Sequence, residues 1–158
     1  MKKLLAAAVM SMGLVSLTHA APMPKGDATA GEAKAAACAA CHGAGGVSMV
    51  PVNPNLAGQG AKYIYKQLQD FKSGRRGNPI MMGMAMPLAD QDMADLAAYF
   101  SAQQAVVGKA KPELVKLGEK IFRGGNSKTG LAACAGCHNP AGKGNALVGY
   151  PRLGGQHA

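Results

Sequence analysis

The sequence predicts an all-α chain of two homologous units in tandem, the second incomplete. Three observations carry this. Apolar residues recur at helical spacing, and no stretch alternates as a strand would. One cysteine–histidine pentad occurs twice, with matching flanks. The third is a shortage: 158 residues contain three Phe, four Tyr and no Trp. Gly and Ala are abundant and bury little surface, so something other than aromatic side chains must fill the core. With 48% apolar and 16% charged residues, the chain is too apolar for intrinsic disorder.

Taken in order, residues 1–20 read as a secretory signal peptide. Lys2 and Lys3 precede the apolar run Leu4 to Leu17, and Thr18-His19-Ala20 fits cleavage after Ala20. The run is short for a membrane anchor. Asp27 is a good N-cap for an Ala-rich helix over 28–40. Ile64, Leu68 and Phe71 fall on one helical stripe, with a stop at Gly74. Met81, Met82, Met84 and Met86 lie in a segment rich in Gly and Pro that reads as irregular. Asp90 opens a helix over 90–103 whose stripe is Met93, Leu96, Ala97 and Phe100. Apolar periodicity stops at Val106–Pro112, which places the boundary between a first unit, 21–108, and a second, 109–158. Glu113 to Arg123 is the last helical stretch, with Leu114, Leu117, Gly118 and Ile121 on one face.

The pentads are Cys38-Ala39-Ala40-Cys41-His42 and Cys134-Ala135-Gly136-Cys137-His138. Gly31-Glu32 precedes the first and Gly118-Glu119 the second. Pro54-Asn55-Leu56-Ala57-Gly58-Gln59 follows the first, and Pro151-Arg152-Leu153-Gly154-Gly155-Gln156 the second. Export alone would suggest two disulfides. C-x-x-C-H is instead the attachment signature of c-type haem. Two thiols one turn apart reach the two vinyl groups of one porphyrin, and the adjacent His offers its imidazole to the iron. A zinc half-site or a dithiol redox centre fits less well in an exported all-α chain with two such pentads. The porphyrins also supply the missing core volume. The far nitrogen of a ligating His needs an acceptor, and the carbonyls of Pro54 and Pro151 are the candidates.

Cys38, Cys41, Cys134 and Cys137 are therefore the expected anchors of two covalent haems, with His42 and His138 as iron ligands. A methionine opposite His raises the potential and makes an electron carrier rather than an oxygen activator. Met84 is the favoured sixth ligand of the first haem, Met86 the next choice, and Met93 is core packing. All ten methionines fall at or before position 93, so the second unit offers none. His157 reads as a surface residue there, with iron ligation the lesser alternative. A chain truncated within its second domain is the simpler explanation; an open coordination site is the other.

These strings resemble the cytochrome c4 family, di-haem carriers built from two class I cytochrome c folds. The resemblance rests on the first pentad with Gly43, on Leu56-Ala57-Gly58-Gln59-Gly60, and on Tyr63 through Gln67-Leu68. Gly83-Met84, Leu88-Ala89-Asp90-Gln91-Asp92 and Ala97-Ala98-Tyr99-Phe100 continue it. In the second unit it runs through Leu153-Gly154-Gly155-Gln156-His157-Ala158. It favours Met84 over Met86 and makes His157 an ordinary residue of a following helix. It implies a periplasmic, non-enzymatic shuttle with no small-molecule substrate, soluble or peripherally membrane-associated. Its electrons would pass from a quinol-oxidising complex to a terminal oxidase or similar acceptor. The formal net charge of +9, including Lys62, Lys66, Lys72, Arg75 and Arg76, suits acidic partners or anionic lipid as well as solvated helix faces. Nothing points to nucleic acid. Two alternatives are a haem enzyme or ligand sensor using an open second haem, and a cytochrome subunit of a dehydrogenase.

Overall fold

The computed structural model describes residues 22–157; the signal-peptide expectation for residues 1–20 lies outside them. Among the described residues six helices follow in order: α1 Ala28–His42, α2 Ala61–Lys72, α3 Pro79–Ala85, α4 Asp90–Ala102, α5 Pro112–Gly124 and α6 Ala135–His138, with a 3₁₀ turn at Ala44–Gly46. The β structure among the described residues consists of isolated bridges, Asn126 to Leu131 and Asn145 to Tyr150.

Each helix starts where local chemistry allows. Asp27 caps α1, its carboxylate accepting from the N–H groups of Thr29 and Ala30. Asp92 reaches back to accept from Ala89 N–H at 2.8 Å, which opens α4. The methionine segment differs from its sequence reading, because it forms the short helix α3 rather than irregular backbone. Asn78 caps it, accepting from Met81 N–H at 3.0 Å, and Pro79 sits in the first turn, where a missing N–H costs nothing. Pro reads there as a breaker; with Asn78 before it, Pro79 is a start signal.

The core of the first unit is α1 and α2 packed on α4. Ala35, Ile64, Tyr65, Met93, Ala94, Leu96, Ala97 and Phe100 form one buried cluster. Gly31 lets α1 cross α4 closely: a Cβ there would meet the Asp95 carbonyl oxygen at 2.1 Å. Asp95, 3% exposed, clamps the crossing. It accepts from Lys34 Nζ at 2.5 Å, Asp27 N–H at 2.9 Å and Gln91 Nε2 at 2.8 Å. These donors, Lys34 foremost, hold its carboxyl down to about 2.

The second unit holds α5, α6 and the two bridged loops. The apolar stripe of α5 stays exposed among the described residues, with Leu114 at 53% and Leu117 at 58%. No helix of the described residues is long and apolar enough to cross a membrane.

Candidate functional site

The first pentad occupies the end of α1. Cys38 is half-buried, Cys41 exposed and His42 buried. Burial, and then the neighbouring Cys41, push the Cys38 thiol up. The helix ends because Gly43 turns to φ 74°, where a Cβ would lie 1.9 Å from the Val47 carbonyl oxygen. The chain then folds back on itself. The N–H groups of Leu56 and Ala57 both donate to Gly46 O, at 2.8 and 3.0 Å, and this brings Pro54 beside the imidazole. His42 Nδ1 lies 2.9 Å from Pro54 O, 12 residues on. A carbonyl can only accept, so Nδ1 carries the proton and Nε2 is the nitrogen left to bind iron.

The second pentad repeats this geometry. His138 Nδ1 lies 2.9 Å from Pro151 O, 13 residues on. Leu153 and Gly154 N–H donate to Gly142 O at 2.9 and 3.0 Å. Asn139 takes the place of Gly43 at φ 73°, and its side chain accepts from Ala141 N–H at 2.9 Å. Tyr150 packs edge-on to His138, ring centres 6.0 Å apart.

None of the four cysteines is paired in a disulfide, and no three metal-binding side chains converge among the described residues. A zinc site would need such convergence. The donor set fits covalent haem: two thiols one turn apart, then an imidazole oriented by its far nitrogen. When bound, such a haem supplies a one-electron iron couple.

The remaining candidates spread along the first unit. Met84 is 39% exposed and Met86 56%, both beside or on α3, which packs against α2. Met81 and Met82 are half-buried. Met93 is 1% exposed, a core residue as expected. His157 is exposed.

Sequence reasoning noticed the repeated Pro-x-Leu-x-Gly-Gln string but gave its glutamines no role. They join the two units. Gln59 Nε2 donates to Arg152 O at 3.0 Å while its Oε1 accepts from Arg152 N–H at 2.7 Å. Gln156 treats Asn55 in the same way: Nε2 to Asn55 O at 2.8 Å, and Asn55 N–H to Oε1 at 3.0 Å. Asn55 Nδ2 adds a bond to Gly155 O at 2.8 Å, and Lys62 Nζ one to Leu147 O at 2.6 Å. Gln59 and Gln156 are repeat equivalents, as are Asn55 and Arg152, so the interface has pseudo-twofold symmetry.

Part of the basic surface is answered locally. Burial pushes the Asp70 carboxyl up, but hydrogen bonds from Lys66 and Arg75 outweigh it and hold the carboxyl below its usual range. The Arg76 guanidinium lies 4.7 Å from the Phe71 ring centre.

An all-α fold carrying two C-x-x-C-H pentads, each with its imidazole oriented by a downstream proline carbonyl, defines a c-type cytochrome with two haem-attachment sites. Comparison with known proteins narrows this. Residues 28–104 match the Cytochrome c family. Cytochrome c4 of Pseudomonas aeruginosa is 53% identical over the whole of this chain and 77% of its own length. The crystal structure of reduced cytochrome c4 from Pseudomonas stutzeri superposes with a TM-score of 0.80 at 54% identity, covering 84% of this chain and 74% of that one. A thiosulfate dehydrogenase electron acceptor of Stutzerimonas stutzeri is 39% identical over 78% of this chain and 59% of its own length. The chain belongs to the cytochrome c4 family, and it is a di-haem c-type electron carrier.

Proposed function

We propose that Cys38 and Cys41 carry the first haem and Cys134 and Cys137 the second, through thioether bonds, with His42 and His138 as the iron ligands on one face. The observation that carries this is the twin hydrogen bond from Nδ1 to Pro54 O and Pro151 O, which orients each Nε2 in the same way. Met84 would supply the first haem's remaining protein ligand. Residues 21–108 and 109–158 form the two cytochrome domains, exported to the periplasm behind the signal peptide of residues 1–20. The protein takes single electrons from a quinol-oxidising complex and passes them to a terminal oxidase or similar acceptor.

The chain itself orients the ligands, holds the iron in an apolar setting and keeps rearrangement between oxidation states small. Visible absorption of the haem-loaded protein tests the ligand set. Met84→Ala is expected to convert the first haem from low-spin to high-spin, make it bind carbon monoxide and lower its potential. Met86→Ala is expected to leave the spectrum unchanged. The reverse result would move the ligand to Met86.

A second reading is that the electron donor is a dehydrogenase. The relative named as a thiosulfate dehydrogenase electron acceptor supports it. Stopped-flow reduction of the oxidised protein by a purified quinol-oxidising complex or by a dehydrogenase distinguishes the two.

A further inference from the structure

The two interface glutamines end on particular peptide groups. The carbonyl of the 54–55 peptide receives the His42 Nδ1 proton at 2.9 Å, and the N–H of that same peptide, on Asn55, donates to Gln156 Oε1 at 3.0 Å. In the other unit the 151–152 peptide receives the His138 Nδ1 proton at 2.9 Å and donates through Arg152 N–H to Gln59 Oε1 at 2.7 Å. Each candidate iron ligand is thus hydrogen-bonded to a peptide whose opposite end is held by the other domain. Asn55 and Gln59 are each 5% exposed, so water competes poorly for these groups.

Hydrogen bonds in series polarise one another. An oxygen accepting from a peptide N–H draws charge toward the carbonyl of that peptide and makes it a stronger acceptor. A stronger acceptor at Nδ1–H gives the imidazole more anionic character and makes its Nε2 more basic. That favours the ferric over the ferrous state and lowers the potential. We propose that Gln156 and Gln59 are reciprocal positioning residues, each setting the potential of the haem in the other domain through the peptide that holds its proximal histidine. The inference rests on the assignment of His42 and His138 as iron ligands.

The pattern it predicts is crossed. A side chain that merely packs within its own domain acts first on its own haem. One that merely holds the interface shut acts on both haems in the same direction whatever replaces it. Here Gln156 acts on the first haem and Gln59 on the second.

The test uses the haem-loaded full-length chain, with the two potentials resolved by spectroelectrochemical titration and assigned by the haem-methyl proton resonances. Gln156→Met keeps the length of the side chain and removes its acceptor; it is expected to raise the potential of the first haem and leave the second near its original value. Gln59→Met is expected to do the converse. Gln156→Glu keeps an acceptor oxygen and strengthens it, so it lowers the first potential by more than the second. The His42 Nδ1–H resonance reports the same bond and is expected to move upfield in Gln156→Met. Shifts in the same-domain haem, equal shifts in both haems, or no shift in either would overturn the proposal. A parent protein whose iron is not histidine-ligated overturns the ligand assignment instead, and its spectrum reveals that before any variant is made.

Discussion

At the scale of single residues, Asp95 shows how one buried carboxylate fixes a helix crossing. It accepts from the Lys34 ammonium, the backbone N–H of the α1 N-cap Asp27 and the Gln91 amide. All of these favour the charged form, so its folded-state value of about 2 lies below the unfolded value of about 3.9. A depressed carboxylate contributes stability above the unfolded value and loses it as pH falls through the folded one. Acid unfolding followed by circular dichroism should therefore show stability declining between about pH 4 and pH 2. Asp95→Asn should be less stable at neutral pH and should show a shallower decline, the remainder coming from Asp70 and Asp92, whose carboxyls are also held low.

The sequence made some residues legible and hid others. Met93 was read as core from its place on the α4 stripe, since periodicity reports burial directly. Pro54 and Pro151 were readable as histidine partners because a ligating imidazole needs an acceptor at a fixed place. Asp95 was invisible. It reads as one more charge on an acidic helix, and only the arrival of Asp27 and Lys34 from far along the chain makes it a clamp.

At the scale of elements, α1 and α4 approach closely because Gly31 has no side chain. Gly31→Ala would place a methyl 2.1 Å from the Asp95 carbonyl oxygen. The helices must part, at a cost of about 1–3 kcal/mol, read as a lower midpoint in urea unfolding. Leu96, 2% exposed, is among the largest fully buried side chains of the core. Leu96→Ala removes methylenes and leaves a cavity, costing about 2–5 kcal/mol in the same experiment. The α3 segment illustrates the opposite lesson. Asn78-Pro79 is both a turn signal and a helix start, and the choice was made by packing against α2. Seven residues are too few for helical propensity to decide.

At the scale of the whole molecule, side-chain amides hydrogen-bond the two units together. Each glutamine makes a paired contact with one residue of the other domain, donating to its carbonyl and accepting from its N–H. A single such bond contributes about 1 kcal/mol net, and stranding its partner costs about 1–3 kcal/mol. Gln59→Leu leaves Arg152 N–H and O without partners. Amide exchange at Arg152 should accelerate at least about fivefold, while exchange at Leu96, inside the first domain's core, should stay unchanged. Equal acceleration at both sites would show that the substitution loosened the fold and not the contact. The surface charge fits the same picture. Lys66 and Arg75 are engaged by Asp70, and Lys109 and Lys111 between the two units are exposed.

The sequence by itself determined the helical class, the duplication and the two pentads, because these depend on residue type at short spacing. It also explained the shortage of aromatic residues once each pentad implied a porphyrin. Only the tertiary structure decided what the repeated glutamines do. The motif places Gln59 five residues beyond Pro54 whatever the neighbouring domain does. The hydrogen bonds it makes require Arg152, 93 residues away, to be brought alongside. A contact of that separation is set by how two folded surfaces fit, and no local pattern records it.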